Sequence, residues 1–151
     1  MRVLIDTNVI IDWLLNRVKN GKDAEKAMRY IIAGNVEGYV TAHSLTDLYF
    51  CIRKEFSKQD RQKLLRFIVS KFYIISEDEI DFKTVLLEED LADLEDSLQM
   101  QCAKKENLDY IVTENIKDFL HSPVKTLSTN DFLKLVGLVW KSLPKIKSLS
   151  L

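Results

Sequence analysis

The stretch Met1-Arg-Val-Leu-Ile-Asp-Thr-Asn-Val-Ile-Ile-Asp12 carries two hydrophobic rhythms in immediate succession. Arg2 to Ile5 is a short run rich in β-branched residues that stops at Asp6, and it predicts a buried strand. From Val9 onward the apolar residues Val9, Ile10, Trp13 and Leu14 fall on one face of a helix, with Thr7 or Asn8 placed to cap it. Asp6 stands at the junction. It either caps the helix or points its carboxylate into the crevice outside the carboxyl end of the strand, where open α/β sheets keep their working groups.

The alternation continues downstream. Asp23 to Ala33 predicts a helix with Ala24, Ala27, Met28, Ile31 and Ile32 inward and Gly34 as its stop, and Tyr39 to Thr41 predicts a strand. Leu45, Leu48, Tyr49, Ile52 and Phe56 mark a helix, Arg61 to Ser70 another, and Phe72 to Ile75 a strand. Ser76 and Glu79 have capping-box spacing ahead of a helix over Ile80 to Leu87, and Asp93 can cap a helix bearing Leu94, Leu98 and Cys102. Tyr110 to Val112 and Val124 to Leu127 predict two further strands, and Ser128 with Asp131 opens a last helix. Strands alternating with helices favour a three-layer α/β/α sandwich around a central parallel sheet of four to five strands. The domain is expected over residues 1–136. The tail from Gly137, with Leu138, Val139, Trp140 and Leu143 among lysines, is left as a strand, a packing arm or an interface segment.

Composition agrees with a single globular unit. The 151 residues include 46% hydrophobic side chains but only 4 Gly and 2 Pro, which excludes collagenous, linker-rich and disordered classes. Two cysteines, Cys51 and Cys102, cannot build a disulfide scaffold and read as reduced. Asp6 and Asp12 interrupt the apolar N-terminus, and no stretch reaches the roughly 20 apolar residues of a membrane span. A soluble, cytoplasmic protein without a membrane partner is expected.

Four segments offer carboxylates to one end of such a sheet. These are Asp6, Asp47 one turn into the helix after the second strand, Asp93 with Asp96 at a helix start, and Asp118 beyond the strand Tyr110 to Val112. Each also has a plainer reading: a cap for Asp6, a solvated rim for Asp47, dipole-facing acids for Asp93 and Asp96, a turn for Asp118. Their co-location is what points to chemistry. Converging carboxylates repel one another unless a cation sits between them, and oxygen donors suit Mg²⁺ or Mn²⁺. One or two such ions in an acid cluster equip a site for in-line displacement at a phosphodiester. Other chemistries find little support. The four glycines are scattered, His43 and His121 are far apart with no Cys pair nearby, and Ser44 and Ser97 lack a base. His43 reads as a helix-start residue and Cys102 as core.

Leu4-Ile-Asp-Thr-Asn-Val-Ile-Ile-Asp resembles the opening of PIN-domain nucleases, especially the VapC-like toxins of prokaryotic toxin–antitoxin pairs. The resemblance continues through Thr41-Ala-His-Ser-Leu-Thr-Asp-Leu-Tyr, Asp93-Leu-Glu-Asp-Ser-Leu-Gln, Leu108-Asp-Tyr-Ile-Val-Thr-Glu-Asn-Ile-Lys-Asp-Phe and Ser128-Thr-Asn-Asp-Phe-Leu. It spans residues 2 to 136 with the motif order kept. It implies an Mg²⁺-dependent ribonuclease that leaves a 5′-phosphate and a 3′-hydroxyl. Asp6 and Asp96 are then metal carboxylates. Asp47 stands where the family usually has Glu, Asn115 where many members have a fourth acid, and Asp118 is the nearest replacement. Asn8 and Thr113, with Asn115, match polar positions that support the metal site or position substrate, and Asp93 can supplement the cluster. The resemblance also implies an antitoxin partner and a homodimer.

Residues 77–96 hold ten acids against the single base Lys83, and the remainder of the chain carries 21 bases against 13 acids. The formal net charge of −1 therefore averages an acidic window with a basic remainder that includes Arg53, Lys54, Lys58, Arg61, Lys63 and Arg66. Those bases are either phosphate contacts for RNA or solvated helix faces. The acidic window can hold metal or dock a basic partner. A metal-dependent endoribonuclease is the leading reading. Its alternative is a degenerate PIN-like module that binds RNA or protein without cleavage, motivated by Asp47 and Asn115. A phosphatase with Asp6 as nucleophile would want a second acid where Asn8 stands.

Overall fold

The computed structural model of the protein describes residues 1–89, 91 and 93–142. Five strands, β1 (Arg2–Ile5), β2 (Glu37–Thr41), β3 (Tyr73–Ile75), β4 (Tyr110–Val112) and β5 (Thr126–Leu127), form one sheet. Its order is β3-β2-β1-β4-β5 and every neighbouring pair is parallel. The connections carry the helices α1 (Thr7–Leu14), α2 (Gly21–Ile32), α3 (Ala42–Cys51), α4 (Lys58–Lys71), α5 (Glu79–Leu86), α6 (Leu94–Lys105) and α7 (Thr129–Ser142), with a 3-10 turn over Ile116–Phe119.

The strand β1 is central, and its alternating side chains split the core in two. Val3 and Ile5 pack with Ile10, Met28, Leu48 and Phe132, so α1, α2, α3, α4 and α7 cover that face. Leu4 packs with Tyr39, Cys102, Ile111 and Phe119, so α6 and the 3-10 turn cover the other. This is the expected α/β/α sandwich. Close packing decides one glycine: a Cβ on Gly38 would come within 2.4 Å of Ile31 Cγ2 and 2.7 Å of the Phe72 ring. Gly34, at the end of α2, takes a left-handed φ of 80° as the stop it was read to be.

Caps depart from the expectations in places. Asp6, not Thr7 or Asn8, caps α1. The box that opens α5 is Asp78 with Asp81, two residues beyond Ser76 and Glu79. The helix read through Phe56 ends at Cys51, and α4 begins earlier than Arg61 because Ser57 caps it. The last helix runs on through Gly137 to Ser142. The side chain of Trp140 and everything after Ser142 lie outside the described residues, so the interface reading of that tail stays an expectation.

The chain lays down β1, β2 and β3 in one direction, then returns to place β4 on the other side of β1. The β1/β4 boundary is the switch point of the sheet, and the crevice there opens at the carboxyl ends of Ile5 and Val112.

Candidate active site

Asp6 stands at that boundary and combines both roles open to it. Its backbone N–H donates to Val112 O at 3.0 Å, which stitches β1 to β4 one residue beyond the strand. Its carboxylate, 1% exposed, accepts from the Asn8 backbone N–H at 3.4 Å, from Gln99 Nε2 at 3.1 Å and from Thr113 Oγ1 at 2.8 Å. Burial pushes the Asp6 carboxyl above its ordinary value, against the hydrogen bonds from Thr113 and Gln99. Gln99 is fully buried, and its carbonyl oxygen has no partner among the described residues.

Asp96 sits in the first turn of α6, whose N-cap Asp93 accepts from the Asp96 backbone N–H at 3.1 Å. Burial, followed by repulsion from Asp6, Asp93, Asp118 and Glu95, pushes its carboxyl up to about 7. Asp93, Asp96 and Asp118 line one cavity of about 310 Å³, together with Glu88, Ser97 and His121. Asp118 is exposed on the 3-10 turn, where its N–H donates to Asn115 O at 2.9 Å.

Asp47 belongs to a neighbouring group. One ring nitrogen of His43 and one carboxylate oxygen each from Asp47 and Glu95 lie within 4.8 Å of one another. Glu95 accepts from Thr7 Oγ1 at 3.0 Å. Its carboxyl is raised by burial and by repulsion from Asp47 and Asp6, so it links this group electrostatically to Asp6. His43 occupies a helix start as expected, and its Nδ1 lies 2.5 Å from Glu77 Oε1.

Of the remaining expected residues, Thr113 is fully buried between Asp6 and the chain beyond it. Its oxygen also accepts from the Asn115 backbone N–H at 2.9 Å. Asn115 is exposed, and its side chain makes no hydrogen bond among the described residues. Asn8 contributes its backbone N–H to Asp6.

The sequence pattern by itself assigns no site role to Glu95, Gln99, Thr7 or His43. Two signals were present. His43 and Asp47 are spaced i,i+4 on one helix, which places them as neighbours. Gln99 falls between the buried Leu98 and Cys102, and a buried polar residue there calls for a partner.

No lysine or arginine lines the acidic cavity among the described residues. Carboxylates crowded in this way need a proton or a cation between them, and their oxygens suit a hard divalent ion. Asp93, Asp96 and Asp118 share that cavity, while the ligand atoms that lie close enough together to share one ion among the described residues are those of His43, Asp47 and Glu95. A cavity of about 520 Å³ between α3 and α4 is lined by Tyr49, Lys58 and Arg66 and by none of these acids, so its size gives it no claim on the chemistry.

Comparison with known proteins bears on the family and the fold. Residues 2–117 match the model of the PIN domain. Ribonuclease VapC1 of Aquifex aeolicus (strain VF5) is 30% identical over 138 residues, which cover 87% of this chain and 92% of that protein. Among solved structures, VapBC2 from Rickettsia felis bound to a DNA fragment from their promoter superposes with a TM-score of 0.64 at 20% identity, over 85% of this chain and 98% of that one. VapBC-1 from nontypeable Haemophilus influenzae gives 0.64 at 16% identity, over 86% and 99%. These structures share the fold. Because the PIN-domain match takes in residues 2–117 and the identity to VapC1 covers 87% of this chain, the chain belongs to the PIN-domain family.

Proposed function

We propose that the protein is a divalent-metal-dependent endoribonuclease and the toxin of a type II toxin–antitoxin pair. The observation that carries this reading is the gathering of Asp93, Asp96 and Asp118 around one cavity lined by no lysine or arginine among the described residues, where burial and then repulsion from Asp6, Asp93, Asp118 and Glu95 push the Asp96 carboxyl up to about 7. The VapC1 relative, a ribonuclease by name, supports the substrate class.

Asp6, Asp96 and Asp118, with Asp47 and Asp93 alongside, would hold Mg²⁺ or Mn²⁺. An ion bound there lowers the pKa of a water and neutralises charge that develops on the phosphodiester. The protein's own contribution is positional. Thr113 and Gln99 fix the two oxygens of Asp6, so that it cannot swing away from the crevice. Thr7 holds Glu95, and Glu77 orients the His43 ring beside Asp47. Asn8 and Asn115 flank the crevice as substrate-positioning groups. Exposed Lys58, Lys63 and Arg66 on α4 supply phosphate contacts that carry affinity without sequence information. Attack of water on phosphorus leaves a 5′-phosphate and a 3′-hydroxyl.

The structural neighbours are toxin–antitoxin assemblies, and an antitoxin presenting basic residues to the acidic window is the corresponding partner here. No helix among the described residues is long and apolar enough to cross a membrane. A cytoplasmic homodimer, with a nuclease domain over 1–136 and with residues 137–151, which begin within α7, as packing or interface segment, completes the proposal.

The test is cleavage of RNA by the purified chain in Mg²⁺ or Mn²⁺. Chelator and, separately, Asp6→Asn or Asp96→Asn should abolish it. Cleavage that survives both treatments overturns the reading. Absence of cleavage together with absence of Mn²⁺ binding sensitive to Asp96→Asn identifies a degenerate binding module instead.

A further inference from the structure

Beside the acidic cavity lies a second one of about 380 Å³ with a different character. The two share Glu88, Ser97, Met100 and His121, so they form one continuous depression rather than separate sites. The second cavity adds Thr84, Gln101, Lys104 and Pro123. Asp96, Met100 and Lys104 follow one another at i,i+4 spacing along α6. A single helical face therefore runs from the acid cluster to a cation over about 12 Å, at 1.5 Å per residue.

We propose that this second cavity is the subsite for the nucleotide next to the scissile phosphate of a single-stranded RNA. The inference rests on the ribonuclease reading and extends it to substrate contact. The lining matches the parts of a nucleotide. Met100 and Pro123 offer apolar surface to a base, Gln101 and Ser97 offer polar atoms, and exposed Lys104 offers a positive charge to the adjoining phosphate. A polyanion entering a ring of carboxylates gains most from a cation at the edge of that ring. Lys104 is the lysine that lines the joined depression among the described residues. Asp81 accepts from Gln101 Nε2 at 3.2 Å, and this anchors one wall of the subsite to the protein interior. His121, shared by both cavities, sits at the passage between them.

The experiment uses the full chain with Mg²⁺ and a short fluorescein-labelled single-stranded RNA of mixed sequence. Binding is read by anisotropy in the Asp6→Asn background, and steady-state cleavage is read in the otherwise unsubstituted chain. Lys104→Gln should weaken RNA binding about three- to tenfold and reduce the slope of log affinity against log salt by about one. In cleavage it should raise KM with little change in kcat. Lys104→Arg should restore both, and Lys83→Gln, an exposed lysine on α5 outside either cavity, should leave both unchanged. Equal effects of Lys104→Gln and Lys83→Gln, or no effect of Lys104→Gln on an RNA that is bound and cut, would overturn the subsite while leaving the ribonuclease reading intact. A chain that neither binds nor cuts RNA overturns both.

Discussion

The Thr113 hydroxyl donates to Asp6 Oδ2 at 2.8 Å across the β1/β4 boundary, with both side chains almost wholly buried. The same oxygen accepts from the Asn115 N–H, so one hydroxyl ties the central carboxylate to the segment that leads to Asp118. Thr113→Val keeps the shape and removes both bonds. It should cost about 1–3 kcal/mol in denaturant unfolding, since the buried Asp6 carboxylate and the Asn115 N–H each lose a partner. Metal affinity or cleavage should fall about 10- to 100-fold, the usual cost of losing a group that orients a ligand. Thr113→Ser should recover most of the loss. An active, fully stable Thr113→Val protein would show that Asp6 needs no such support.

Asp96 yields a pH signature of unusual sign. Its carboxyl titrates near 7 in the folded metal-free chain, above the ordinary carboxylate value, so the folded state holds a proton that the unfolded state has lost. Metal-free stability should therefore fall as pH rises from about 4 to about 7. Buried Asp6, also raised, acts in the same direction. Asp96→Asn should flatten this fall and make the metal-free protein more heat-stable than its parent at about pH 8. Added Mg²⁺ or Mn²⁺ should raise the melting temperature of the parent more at about pH 8 than at about pH 6, because binding requires the ionised carboxylate. A metal-free melting temperature that climbs steadily over this range would contradict the assignment.

Asp81 works in the opposite sense. Burial alone would push its carboxyl up. Hydrogen bonds from Lys105, the Asp78 backbone N–H and Gln101 outweigh burial and hold it below the usual carboxylate value. Its contribution is present above the unfolded pKa and is lost as pH falls through the lower folded one. Asp81→Asn should cost about 1–3 kcal/mol near neutrality and should lose less on acidification below about pH 4 than the parent does. Equilibrium unfolding against pH checks both statements.

Gly38 tests the packing of β2 directly. Gly38→Ala places a methyl against Ile31 and Phe72 and should destabilise by about 1–3 kcal/mol, read as a lower melting temperature. Gly137→Ala, where a Cβ meets nothing within 4 Å, is the matched control and should not destabilise.

The fold was legible because its strands are short, continuous apolar runs flanked by helical periodicity. Arg2–Ile5 and Tyr110–Val112 were bounded to the residue, since both are central strands buried on two faces. Ends set by capping were harder to place. Ser57 and Asp78 compete with equally polar neighbours, and only the packed helix decides which of them caps. In the site, Asp6 and Asp118 could be placed at the sheet edge because strand ends fix direction, and Asp96 at the start of a helix because Asp93 caps it. Glu95 could not, because adjacent helical residues point about a quarter-turn apart. Glu95 reaches toward Thr7 and Asp47, while Asp96 faces the cavity that Asp118 also lines.

On the proposed function, the sheet order also sets when the protein becomes dangerous to RNA. The central strand is the first to be synthesised, yet the hydroxyl that secures Asp6 lies 107 residues further along. A nascent chain emerging from the ribosome cannot complete its acid cluster until β4 has followed and docked against β1. Topology thus supplies a built-in delay: on the proposed function, the newborn chain stays harmless to the transcript and ribosome that are making it until its translation is well advanced.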